Sequence, residues 1–177
     1  MFENLTKKIS LYLFKKNFLK NRTSEIINFN KFFSSSKSFV LIAPENHEEL
    51  NDLKLVSEFL IDSGKSVTII LNESLKNYLS GSIKSDIIAY NILDKTRFSL
   101  PSKEITSKLA DKRWDVAIDL NTENGIFSGA LINCLNCDYR IGFSKENSDL
   151  YYNFQVNRGG VQLTDLPRKL LDSLAMF

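Results

Sequence analysis

The stretch RWDVAIDLNTENGIFSGALINCLNCDYRIGF, Arg113 to Phe143, decides how the rest of the chain is read. Val116 to Leu120 is apolar apart from Asp119, the pattern of a strand covered on both faces. A polar strand end follows, then an apolar helical segment from Ile126 to Leu135, then a second short strand from Tyr139 to Phe143. A strand, a helix and a strand in that order make a βαβ step, whose crossover is right-handed.

The same alternation extends in both directions. Towards the N-terminus, Phe39 to Ala43 is a fully apolar strand stopped by Pro44. Asn46 then fits an N-cap, with Glu49 completing a capping box, and Leu50, Leu53, Val56 and Leu60 hold one helical face as far as Gly64. Val67 to Leu71 is a second strand, Ser74 caps a short helix carrying Leu75, Tyr78 and Leu79, and Ile87 to Tyr90 is a third strand. Asn91 to Ser102 reads as loop, and Ser102 opens a helix through Ile105 and Leu109. Beyond Phe143, Asn153 to Val156 suits a sixth strand and Gly159-Gly160 a turn. Thr164 can cap a last helix, with Pro167 in its first turn and Leu166, Leu170 and Leu174 in one stripe. The expected fold is α/β and Rossmann-like: a mostly parallel sheet of five or six strands with helices on both faces.

In a chain of 177 residues this makes one domain with a sizeable core. We expect residues 38–177 to form it, preceded over residues 1–37 by a basic helical arm and a linker that includes Asn30 to Ser38 at its end. A net charge of +2, with no RNA- or DNA-reading motif, gives no reason to expect a nucleic-acid partner. Cys134 and Cys137 form a lone CxxC at the end of an apolar helix. That is the wrong end for a redox thiol, and one distant histidine cannot complete a metal site. No metal and no cofactor is expected. A reducing, cytoplasmic setting suits such a chain, and no apolar run approaches a membrane span.

Residues 2–22 are the one basic segment, where Lys7, Lys8, Lys15, Lys16, Lys20 and Arg22 stand against Glu3 alone. On a helix, Leu5, Ile9, Tyr12, Leu13 and Leu19 share a face, with Lys16 and Lys20 intruding and Phe14 and Phe18 elsewhere. Such a helix can rest peripherally on an anionic membrane, here the inner membrane. The favoured expectation is an arm packed on its own domain or on a second copy in a homodimer.

In an open α/β sheet, ligands bind outside the carboxyl ends of the strands where strand order reverses. Two polar strand ends are therefore candidates. After the first strand, PENHEE places Glu45, His47 and Glu48 together, and a neutral histidine oriented by a carboxylate is a general-base arrangement. Acids in a helix's first turn are also favoured by the helix dipole alone. After the fourth strand, Asp119, Asn121 and Asn124 are small polar groups suited to hydrogen-bonding a sugar or polyol, Asp119 and Asn121 being expected in the same crevice as His47, with Asn46 a further candidate for binding the ligand. The alternative use of Asn121, Thr122 and Asn124 is bonding to nearby backbone. Neither GxGxxG nor GxxxxGK[ST] occurs, and no Ser-His-Asp or Cys-His set can be assembled.

Several of these pieces, in this order, resemble glycosyltransferase family 9, the ADP-heptose:lipopolysaccharide heptosyltransferases, over that family's N-terminal acceptor half. They are Phe39 to Pro44, GKSVTIIL from Gly64, WDVAIDL from Trp114, YRIGF from Tyr139, and Tyr152-Asn153 with Val156. The resemblance covers most of residues 38–175. It implies the first of two Rossmann-like domains, binding an acceptor sugar-lipid, while a second binds the sugar nucleotide. Two departures stand out. Pro44-Glu45-Asn46-His47 replaces a Gly-Asp pair whose Asp serves as base, so Glu45 or His47 would have to act instead, and no donor half is legible in the sequence.

The expectation is a stand-alone family 9-like domain of bacterial cell-envelope metabolism, not catalytic by itself, that binds a glycan-related or sugar-lipid ligand or a protein partner. Two alternatives remain. One is an active heptosyltransferase-type glycosyltransferase completed by a separate donor-domain chain, and the other is a scaffold module with a vestigial cleft.

Overall fold

The computed structural model describes residues 2–19, 29–79, 85–160 and 162–177. Lys20 and Arg22 of the basic segment lie outside them. Six strands form one sheet in the order β3-β2-β1-β4-β5-β6: β1 Ser38–Ile42, β2 Ser66–Asn72, β3 Asp86–Tyr90, β4 Arg113–Asp119, β5 Asn136–Phe143 and β6 Phe154–Val156. Every pairing is parallel. This is the Rossmann-like α/β fold, with strand order reversing between β1 and β4.

The helices are α1 Phe2–Phe18, α2 Phe32–Ser35, α3 Leu50–Asp62, α4 Lys103–Ala110, α5 Ile126–Cys134, α6 Ser148–Tyr151 and α7 Leu166–Ala175. Two apolar cores sandwich the sheet. Phe39, Leu41, Ile69 and Ile118 face α3 and α7 through Leu53, Leu60, Leu170 and Leu174. Val40, Ile42, Ile70 and Ala117 face the opposite way, against Ile105 of α4 and Ala130 and Leu131 of α5. Both sides of β1 are covered, which is why its sequence is apolar without alternation. Each such side chain, fully buried, contributes roughly 1.5–3 kcal/mol.

The structure departs from the sequence reading at several joints. Residues 32–35 are not a linker but a helical turn whose Phe32 is buried between Tyr139 and Phe177. Lys65 pins that turn, donating to the carbonyls of Phe33 at 2.7 Å and Ser36 at 2.8 Å. The short helix after β2 is 3-10, Glu73–Leu79, because the Asn72 side chain accepts from the Ser74 backbone and tightens the turn. β5 starts earlier than Tyr139, since Asn136 and Cys137 pair with Arg113 and Trp114 of β4. Cys137 is therefore a strand residue and only Cys134 ends the helix. The polar segment after Phe143 contains α6, which the sequence reading left without structure.

The arm packs on the domain through Phe14 and Phe18, which lie off the face its sequence suggests; of that face, Leu13 and Leu19 are partly buried against the same core. Phe14 is fully buried, stacked on Phe18 and edge-on to Tyr151, while Leu5, Ile9 and Tyr12 are exposed. No helix among the described residues is long and apolar enough to cross a membrane.

Candidate functional site

Parallel strands bring their carboxyl ends to one edge, and β1 and β4 exit side by side there, with Ile42 registered against Asp119. Their exit loops diverge into a cleft of about 250 Å³ lined by Glu45, Asn46 and Glu49 from β1, and by Asn121 to Gly125 and Ser128 from β4 and the start of α5. Both polar strand ends singled out in the sequence thus meet. They are stitched together: the Glu45 backbone donates to Asn121 Oδ1 at 3.0 Å, Asn121 Nδ2 donates to the Ala43 carbonyl at 3.1 Å, and the Thr122 hydroxyl donates to Glu49 Oε2 at 3.2 Å.

Asp119 does not line this cleft; it lies beneath it, fully buried. Its carboxylate accepts from the Tyr152 hydroxyl at 2.6 Å and from Asn121 Nδ2 at 2.7 Å, and it pairs with Lys145 Nζ at 3.3 Å. Lys145, with only 2% of its side chain exposed, also donates to the Asn121 carbonyl at 2.9 Å. Burial alone would push the Asp119 carboxyl up, but Lys145 and the donated hydrogen bonds outweigh it and hold the group below its ordinary value. Tyr152 moves the other way, pushed well up by burial and by the neighbouring carboxylate.

The candidate bases are placed less favourably than their spacing implied. Glu45 sits on the rim with Oε1 held by Lys95 at 2.6 Å and by the Tyr90 hydroxyl at 3.5 Å. Lys95 is itself seated over the Phe127 ring at 4.5 Å. His47 is not among the residues lining the cleft beside Asn121; its ring lies 5.8 Å from that of Tyr78. Glu48 is exposed, and its backbone donates to the Asn46 side chain. The capping box expected at Asn46 and Glu49 does not form. Asn46 caps a 3-10 turn, His47–Glu49, and the Glu49 carboxylate turns to Thr122. Asn124 lines the cleft and accepts from the Glu146 backbone at 3.0 Å.

One carboxyl of the cleft lining, that of Glu49, is shifted towards neutrality. Glu49 is raised, by burial first and by Glu123 as well, against Thr122, Arg158 and Lys145. Asp52, in the first turn of α3 and outside the cleft lining, is pushed up to about 6 by burial and by Glu49. Among the described residues no group of three or more His, Cys, Asp or Glu is set to hold a metal. Sequence reasoning missed Lys145, Lys95 and the place of Glu49 in the cleft lining. Lys145 follows β5 directly, at a strand carboxyl end, which is the signal in the sequence that points to it.

No protein-family model matches the sequence, and no curated protein sequence matches it. A solved structure does: the crystal structure of the glycosyl transferase family 9 from Veillonella parvula DSM 2008, with a TM-score of 0.59 and 16% sequence identity. The fold is glycosyltransferase family 9-like. The match covers 80% of this chain and 42% of that one, so the chain spans less than half the length of its neighbour. At this identity the likeness establishes architecture alone, and chemistry has to be argued from the cleft.

Proposed function

We propose that this family 9-like domain binds a hydroxyl-rich, glycan-type ligand in the cleft between the exits of β1 and β4, and that it does not transfer a sugar by itself. The lining carries the reading. Eight of the nine residues in contact with the cleft bring a carboxylate, amide or hydroxyl. Such a wall offers donors and acceptors for a polyol beside apolar surface on which a sugar ring can rest. Glu45, Glu49 and Glu123 disfavour an anionic ligand, which leaves neutral or amine-bearing sugars as the better fit. The placement of the candidate bases supports a domain that does not transfer a sugar alone. Glu45 is engaged by Lys95, His47 lies outside the cleft and Asp119 is locked under it.

The test is chemical-shift mapping of the full chain with neutral hexoses, heptoses and hexosamines as probes. Shifts centred on the amides of Glu45, Asn121, Thr122 and Gly125, lost in Asn121→Ala, support the reading. No shift at millimolar sugar, or shifts remote from the cleft, ends it.

One observation favours a second reading, in which another polypeptide completes an active glycosyltransferase of heptosyltransferase type. Tyr78, Ile92 and Leu93 are large, exposed apolar side chains in the turns that follow β2 and β3, at the same edge as the cleft. A body seated on that edge would cover them and bring a donor site opposite Glu45. In that case Glu45→Ala with His47→Ala abolishes transfer from a nucleotide sugar in the presence of the completing chain, and retained transfer refutes the base assignment.

A further inference from the structure

Helix α1 carries two apolar stripes on opposite sides. Phe14 and Phe18, with the small buried Ser10 one turn before them, face into the domain against α5 and Tyr151. Leu5, Ile9 and Tyr12, at spacings of four and three, run along the other side with 56%, 36% and 65% of their surfaces exposed. Lys16 continues that outer stripe, and Lys8 and Lys15 flank it a quarter-turn away, all exposed. Two opposed stripes cancel in any measure of amphipathicity, so the helix looks weakly two-faced in sequence although each face is well made.

We propose that this outer face of α1 docks the domain on an anionic lipid bilayer. The occupant is argued from charge. Residues 2–22 hold six basic side chains and one acidic, while the whole chain is only +2, so the remainder is net acidic and the positive charge is gathered on the arm. Apolar side chains interleaved with lysines suit a surface with negative headgroups above hydrocarbon: the lysines stay at the headgroups while Leu5, Ile9 and Tyr12 enter the boundary below them. A nucleic acid would use the lysines and leave that apolar stripe in water. With Phe14 anchored in the core, the helix lies flat on the bilayer and carries the sheet with it. The proposal is independent of what fills the cleft.

Co-sedimentation of the full chain with phosphatidylethanolamine–phosphatidylglycerol vesicles and with phosphatidylcholine vesicles tests it. Binding to the anionic vesicles should exceed binding to the neutral ones by about tenfold or more. It should fall away at about 1 M salt, where screening shortens to about 3 Å. The triple substitution Leu5→Ser, Ile9→Ser, Tyr12→Ser alters only exposed groups, keeps the near-ultraviolet circular dichroism, and should lose the binding. Lys8→Gln, Lys15→Gln, Lys16→Gln should lose it too. Equal binding to both vesicles, no binding to either, or anionic binding that survives the triple substitution overturns the proposal. So does a dimer, seen by sedimentation velocity, that forms without vesicles and dissociates on the same substitutions, since a second copy then owns the face.

Discussion

Tyr152 reaches Asp119 with a 2.6 Å hydrogen bond across the space that Gly142 leaves empty. Asp119 and Gly142 are registered side by side on β4 and β5, and the Tyr152 ring lies where a side chain on Gly142 would be. The phenol therefore covers β5 and donates to β4 in one step, with Lys145 closing the other side of the carboxylate. The floor of the cleft is built from this relationship rather than from the cleft's own lining.

Gly142→Ala should therefore weaken the fold without touching the cleft directly. The new methyl displaces the Tyr152 ring, and overpacking of this kind costs about 1–3 kcal/mol. Urea unfolding followed by circular dichroism should show a lower midpoint with an unchanged slope. A midpoint equal to wild type means the ring can step aside freely.

Removing the charge at Asp119 should cost more. Asp119→Asn leaves Lys145 buried and unpaired, a change worth about 3–5 kcal/mol. In wild type the Asp119 value is depressed below its ordinary 3.8, so its contribution is complete above that value and disappears as pH falls through the lower, folded one. Urea midpoints across the acid range should drop steeply below about pH 4 in wild type and less steeply in Asp119→Asn.

Asp52 has the opposite sign. Its value rises from 3.8 to about 6 on folding, so the folded state favours the protonated form. The stability linked to it is fully present below 3.8 and is lost as pH rises through about 6. Asp52→Asn should flatten the stability profile between these limits and raise the melting temperature at pH 7. An unaltered profile would show that Asp52 is solvated as an ordinary carboxylate.

The cysteines should be inert. Burial pushes the thiol of Cys134 up to about 12 and that of Cys137 up to about 11, so almost no thiolate exists at neutral pH. A disulfide-exchange reagent at pH 7.5 should label the folded chain far more slowly than the urea-unfolded chain. Equal rates would contradict the burial.

The sheet was legible because a strand buried on both faces needs a largely apolar sequence: Phe39 to Ile42 of β1 is wholly apolar, while β2 and β4 are interrupted within their apolar runs only by Thr68 and Asp119. Its ends were less so. Asn136 and Cys137 have no strand-like pattern and join β5 only because β4 offers Arg113 and Trp114 as partners. α6 was missed because a four-residue helix has too few positions to show a period, and Tyr151 reveals itself only by packing against Gly129 and Phe14.

For the site, the alternation of strands and helices was enough to say that the loops after β1 and β4 meet, since parallel strands put their carboxyl ends on one edge. Which side chains face the space between them was decided by contacts distant in sequence. Lys145 pairs with Asp119 outside the cleft lining, Lys95 holds Glu45, and His47 lies by Tyr78 rather than in the lining. The arm follows the same division. Its periodicity places Leu5, Ile9 and Tyr12 on one side, but only the burial of Phe14 settles that this side looks outward, because a helix's pattern names its faces and a neighbour chooses between them.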